Sequence, residues 1–163
     1  MRRLSAGVVI LLLAIATTTS SFAIAIAFAP PQPAPPDLAA SIAKARLDGS
    51  VASWCRGQLR PGAGRAYAVA LALDKGGRYI VIDGDAKVVT LAAFSGGADL
   101  SCYTPSEARR LNRTIAGSET IAGRITPRGN TTVVCGFVGD TEAVCWQYSP
   151  TRREFVTIGG WTT

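Results

Sequence analysis

TTVVCGFVGDTEAVCWQY, residues 131–148, is the stretch on which the fold turns. It reads as two strands around Gly139-Asp140, with Cys135 on one arm and Cys145 on the other. Glycine at the first central position suits a two-residue type II′ turn. That loop sets Cys135 opposite Val144 and Cys145 opposite Val134, so the two sulfurs leave opposite faces of the sheet. It also gathers Val133, Cys135, Phe137, Val144 and Trp146 on one face and the smaller Val134, Gly136, Ala143 and Cys145 on the other. A three-residue loop through Thr141 would instead oppose the two cysteines directly. Turn chemistry favours the shorter loop, and with it long-range partners for both cysteines.

The chain holds four cysteines, Cys55, Cys102, Cys135 and Cys145, and no histidine. An even count in an exported chain predicts two disulfides, in one of three pairings. Cys135–Cys145 with Cys55–Cys102 is one of the three. Zinc is disfavoured, because the spacings are wide and imidazole is absent.

The same strand-and-turn grammar extends outward in both directions. AYAVALAL, residues 66–73, alternates Tyr67, Val69, Leu71 and Leu73 with four alanines. A turn at Lys75-Gly76 leads into RYIVI, giving one face of Val69, Leu71, Ile80 and Ile82 and another of Ala70, Ala72, Tyr79 and Val81. DGD at 83–85 turns into AKVVTLAAF, and Gly96-Gly97 turns into ADLSCY. Residues 119–125, 131–138, 141–148 and 154–161 read as further strands.

Shifted by 43 residues, FSGGADLSCYTPSEARRLNRTIAG lies on FVGDTEAVCWQYSPTRREFVTIGG without a gap. Phe94 falls on Phe137, Gly96 on Gly139, Cys102 on Cys145, and Arg109-Arg110 on Arg152-Arg153. This predicts duplicated meander units, with the two glycine-led turns equivalent. The period is also that of a propeller blade, but two units are too few for a propeller.

Three segments read as helix. DLAASIAKARLDG begins at Asp37, which can cap it, and carries the stripe Leu38, Ile42 and Ala45. Ser50 is predicted to cap a second short helix holding Val51, Trp54 and Cys55. Within the first copy of the repeat, Thr104, Pro105 and Glu107 form a capping box ahead of Ala108, Leu111 and Ile115, so residues 105–115 are helix, with Gly117 to end it. The fold class is therefore mainly β: two duplicated antiparallel meanders packed as a small sandwich or barrel, with a short N-terminal helix and one helix between the units.

Arg2 and Arg3 precede an uncharged apolar run from Gly7 to Ala29. This is the pattern of a signal peptide, with small-x-small sites ending at Ala23, Ala25 and Ala27. The same run is long enough for a membrane anchor, although Thr17 to Ser21 interrupts it. PPQPAPP, residues 30–36, is a proline-rich spacer, and residues 37–163 form a single exported domain. The expected location is periplasmic or secreted, or the inner membrane if residues 7–29 are retained.

Without Arg2 and Arg3 the formal charge falls from +6 to +4. That is a mild balance without aromatic interleaving, which argues against nucleic acid as a partner. Arg109, Arg110 and Arg113, or Arg152 and Arg153, are the basic groups able to meet an anionic partner. Triads and P-loops are absent, and no cofactor is expected. Asp83, Asp85, Asp99 and Glu142 could serve a carboxylate-based hydrolase of wall polymer, but all sit at predicted turns or strand edges.

What remains is recognition. Trp146 and Tyr148 share one strand face, and Arg152 and Arg153 follow in the next turn, a combination typical of interface anchors. The chain thus reads as a non-catalytic exported binding or accessory module of the cell envelope, with a protein or glycan as ligand. The rival readings are the hydrolase and a membrane-tethered structural subunit of a larger complex.

Overall fold

A computed structural model of the chain describes residues 33–162, apart from 65 and 116–123. The elements run α1 (Pro36–Lys44), β1 (Ser50–Gly57), β2 (Ala66–Ala72), β3 (Gly77–Asp83), β4 (Val88–Phe94), β5 (Leu100–Tyr103), α2 (Pro105–Ile115), β6 (Val133–Phe137), β7 (Glu142–Ser149) and β8 (Glu154–Thr162). Two antiparallel four-stranded meanders result, in the order β1-β2-β3-β4 and β5-β6-β7-β8. They pack as a sandwich with α1 on the outer face of the first sheet and α2 on the outer face of the second. The leader or anchor at 1–29, residues 119–123 of the strand expected at 119–125 and the helix stop at Gly117 lie outside the described residues, and Arg124 and Ile125, the described end of that strand, are irregular instead.

The uneven alternation of β2 decides how the layers stack. Its large face, Tyr67, Val69 and Leu71, meets Leu38 of α1 together with Ile80 and Ile82 of β3. Its small face, Ala66, Ala68 and Ala70, looks into the sandwich, where Tyr79, Phe94 and Trp146 fill the space the alanines leave. Both faces of β2 are covered, so six of its seven residues are buried. The β2–β3 loop is Asp74-Lys75, with the Leu73 amide bonded to the Gly76 carbonyl, one step from the centring expected. The step changes register by two, so the expected faces survive.

Residues 50–57 are a strand, not a second helix. Val51 and Trp54 lie three apart and share the α1-facing side because the β1–β2 register shifts between Val51 and Ser53. That bulge brings Ala52 and Cys55 together on the inner side. A bulged strand thus imitates the three-and-four spacing of a helix, and the free edge of β2 with β-favouring Val and Trp decides the outcome.

Asp37 does not cap α1, whose N-cap is Pro35. Its carboxylate accepts a 2.6 Å hydrogen bond from the Tyr67 hydroxyl, which lowers its pKa. The capping box of α2 forms as expected: Glu107 accepts from the Thr104 amide at 2.8 Å, and the Thr104 hydroxyl accepts from the Glu107 amide at 3.3 Å.

The β6–β7 loop corrects the turn assignment. Cys135 pairs with Cys145, and the Val138 amide bonds to the Glu142 carbonyl, so the loop is Gly139-Asp140-Thr141. The two cysteines occupy a non-hydrogen-bonded pair, where strands approach most closely, and their Cα atoms are 4.1 Å apart. They form one disulfide, and Cys55–Cys102 forms the other, joining the first strands of the two sheets. One added loop residue turns β7 over relative to β6. Val144 and Trp146 therefore join the inner core with Val134, while both cysteines face α2. Cys135→Ser and Cys145→Ser remove the same bond.

The duplication holds for the architecture but not for the offset of 43. Gly96-Gly97 does not turn a hairpin: it lies on the crossover from β4, in the first sheet, to β5, in the second. The shifted alignment thus lays an inter-sheet crossover on the β6–β7 hairpin.

Candidate functional site

The sequence pointed to Trp146, Tyr148, Arg152 and Arg153, and the structure separates them. Trp146 is 4% exposed, with its ring centroid 5.7 Å from that of Tyr79 between the sheets. It belongs to the core and is removed from the contact surface. Tyr148 is half-buried, with Phe155 edge-on at 5.5 Å and the Arg60 guanidinium over its ring at 5.7 Å. Arg152 and Arg153 are exposed in the β7–β8 turn.

A different cluster assembles around α2 and the irregular segment 124–131. Ala108 and Leu111 turn one side of α2 onto the second sheet. The spacing of the remaining positions puts Ser106, Arg109, Arg110 and Arg113 on the far side. These four and Arg124 line an open depression of about 690 Å³. Thr126, Arg128, Ser149, Arg152 and Thr157, with the apolar Val156 and Ile158, line a second, of about 360 Å³. Glu107 lies in the first turn of α2 with its carboxylate engaged by Thr104, whose N–H is the chief cause of its lowered pKa.

The backbone at Ile125 and Arg128 is held in place by side-chain amides. The Asn112 amide donates to the Ile125 carbonyl at 2.6 Å and accepts from the Ile125 N–H at 2.8 Å. Gln147, 1% exposed, accepts from the Arg128 N–H at 2.6 Å and donates to the Thr131 carbonyl at 2.7 Å. Between these clamps the Thr126 N–H bonds to the Ile158 carbonyl of β8 at 2.8 Å. Gly159 permits that approach: it sits at φ +133, and a Cβ there would lie 2.5 Å from the Arg124 carbonyl oxygen. The segment is thus fixed by groups far away in sequence, with Arg124 and Arg128 exposed on either side of Thr126.

No protein-family model, curated protein or solved structure matches the chain significantly. The reading of function therefore rests on the geometry and on the sequence itself.

The acids considered for hydrolysis are placed apart. The Asp83 carboxylate accepts from the N–H groups of Asp85 and Lys87 at 3.0 and 2.9 Å, and so shapes its own turn. Asp99 lies on the crossover and Glu142 at the start of β7, and both are exposed. Two other carboxylates, Asp48 and Asp74, line one open depression with Ser50, Leu73 and Lys75. Both are exposed and lack the apolar enclosure in which a catalytic carboxyl pair works.

Among the described residues no helix is long and apolar enough to cross a membrane. Both disulfides are formed, in keeping with an oxidising compartment.

Proposed function

We propose that the protein is a non-catalytic exported binding or accessory module of the cell envelope, and that its contact surface is the arginine face built from α2, segment 124–128 and the β7–β8 turn. The observation that carries this reading is the pair of clamps from Asn112 and Gln147. They fix the backbone next to Arg124, which shares a depression with the arginines of α2, and at Arg128, a degree of fixation that a merely solvated basic surface does not need. An anionic envelope component is the natural ligand of such a face.

Export follows the N-terminal pattern, with the mature chain starting between Ile24 and Phe28. Intact mass of the protein from its native host checks this, and a mass that includes Arg2 and Arg3 would identify an anchor instead. For the binding function, the full chain is sedimented with envelope from the native host. Replacing Arg109, Arg113 and Arg124 together by glutamate is expected to weaken co-sedimentation by roughly 10-fold or more at low salt, with the melting temperature unchanged. Co-sedimentation equal to the parent's would remove the arginine face as the contact surface.

A further inference from the structure

The two depressions share one support. Arg124 lines the first and Arg128 the second, and both belong to the segment held by Asn112 and Gln147. Arg124 and Arg128 lie four residues apart, on either side of Thr126, which is bonded to β8. The arginines thus form a track: Arg109, Arg113 and Arg124 at one end, Arg128 and Arg152 at the other. Neither depression is an enclosed pocket of the kind that buries a small ligand.

No large apolar side chain protrudes from this track: Val156 and Ile158 also line the second depression, but Val156 is half-buried and Ile158 buried. Among the described residues Leu73 is the exposed large hydrophobic side chain, at 41%, and it lies in the β2–β3 connection of the other sheet. A bilayer-binding face inserts apolar side chains between the headgroups, and a protein interface centres on aromatic or aliphatic anchors. A track of guanidinium groups without either suits a hydrophilic chain that carries its charges at intervals. Arginine in place of lysine adds planar, two-point recognition of carboxylate or phosphate.

Resting on the function proposed above, we infer that the ligand is a linear anionic glycopolymer bearing carboxylate or phosphate on its repeats. It lies along residues 124–128, with anionic groups met by Arg109, Arg113 and Arg124 at one end and by Arg128 and Arg152 at the other. Gly159 is a positioning residue for this track, because it lets the Arg124 carbonyl approach β8.

Long-chain polygalacturonate, its trimer and vesicles containing phosphatidylglycerol are the probes, titrated against the full chain. The polymer is expected to bind roughly 100-fold more tightly than the trimer, because both ends of the track are engaged at once. With five arginines in contact, log Kd should change with log salt with a slope of magnitude about 3.5, at roughly 0.7 ion per contact as for a flexible single strand. Arg124→Gln with Arg128→Gln should lower polymer affinity roughly 10-fold or more and bring that slope to about 2. Gly159→Ala keeps every arginine and should still lose polymer affinity, whereas Lys44→Gln with Arg46→Gln should lose none.

A trimer bound as tightly as the polymer, vesicles bound more tightly than the polymer, or an unchanged slope in the Arg124/Arg128 variant would each overturn the inference. If these results came with envelope binding that still depends on Arg109, Arg113 and Arg124, the glycopolymer falls and the binding module stands. Loss of that dependence as well would remove both.

Discussion

Replacing Cys55 and Cys102 together by alanine lowers the free energy of unfolding by about 4 kcal/mol, from the entropy of the loop their bond closes. The bond spans 47 residues and fastens the first strand of one sheet to the first strand of the other. Cys135–Cys145 spans only 10 residues within one hairpin, so its removal costs about 3 kcal/mol by the same reasoning. For a domain of this size the first loss corresponds to a melting temperature roughly 15 °C lower, measurable by calorimetry. Equal losses from the two double substitutions would show that the inter-sheet bond does not restrain the unfolded chain as its span implies.

A second large effect centres on Tyr79. This residue is fully buried, with Phe94 at 4.6 Å and Trp146 at 5.7 Å between ring centroids. Its hydroxyl donates to the Phe137 carbonyl at 2.7 Å, with the carbonyls of Asp99 and Gly97 at 3.1 and 3.3 Å. It therefore ties the first sheet to the crossover and to β6. Tyr79→Ala should cost roughly 3–5 kcal/mol.

Gly136 faces the same ring, and a Cβ there would lie 2.7 Å from it. Gly136→Ala should cost roughly 2–3 kcal/mol by overpacking. In the double variant the added methyl meets the space the ring vacated, so the two costs should sum to more than the measured total. Strict additivity in urea unfolding would mean that the two residues do not touch.

Burial, and then the charge of Asp99, pushes the Tyr79 pKa up to about 12 from 10.0. The unfolded chain loses this proton first as pH rises. The stabilisation from the neutral phenol is therefore complete below pH 10 and is lost as the pH passes 12, an effect of roughly 2–3 kcal/mol. Tyr79→Phe should remove that part of the alkaline dependence.

Local signals were enough for the parts of the fold that local physics decides. The large and small faces of β2 are written in its alternation, and α2 begins where its capping box says. The β6–β7 loop was not legible, because two constraints disagreed there. Gly139-Asp140 fits a two-residue turn, yet that loop would take Trp146 away from the Ala-lined interior and separate Cys135 from Cys145. Packing and the disulfide outweigh a turn preference, which is small beside either.

The candidate site was half legible. Arg109, Arg110, Arg113, Arg152 and Arg153 stood out as basic groups, but Arg124 and Arg128 sat in a stretch read as strand and turn. Their fixation depends on Asn112 and Gln147, distant in sequence. Nothing in the local sequence marks either for this role, although the Asn112 amide is taken up by Ile125 and the Gln147 amide by Arg128 and Thr131. Trp146 was misplaced by the same register error that misplaced Cys145.

The sandwich and the arginine face both depend on the register of β6 against β7 and on the stitch between β1 and β5. Non-reducing peptide mapping reads both at once, after cleavage at Asp140 or Glu142 to part the hairpin and at arginine to free Cys55 and Cys102. Two linked pairs, Cys55 with Cys102 and Cys135 with Cys145, are expected. A peptide joining Cys55 or Cys102 to Cys135 or Cys145 would contradict the register, and with it the placement of every residue in the proposed site.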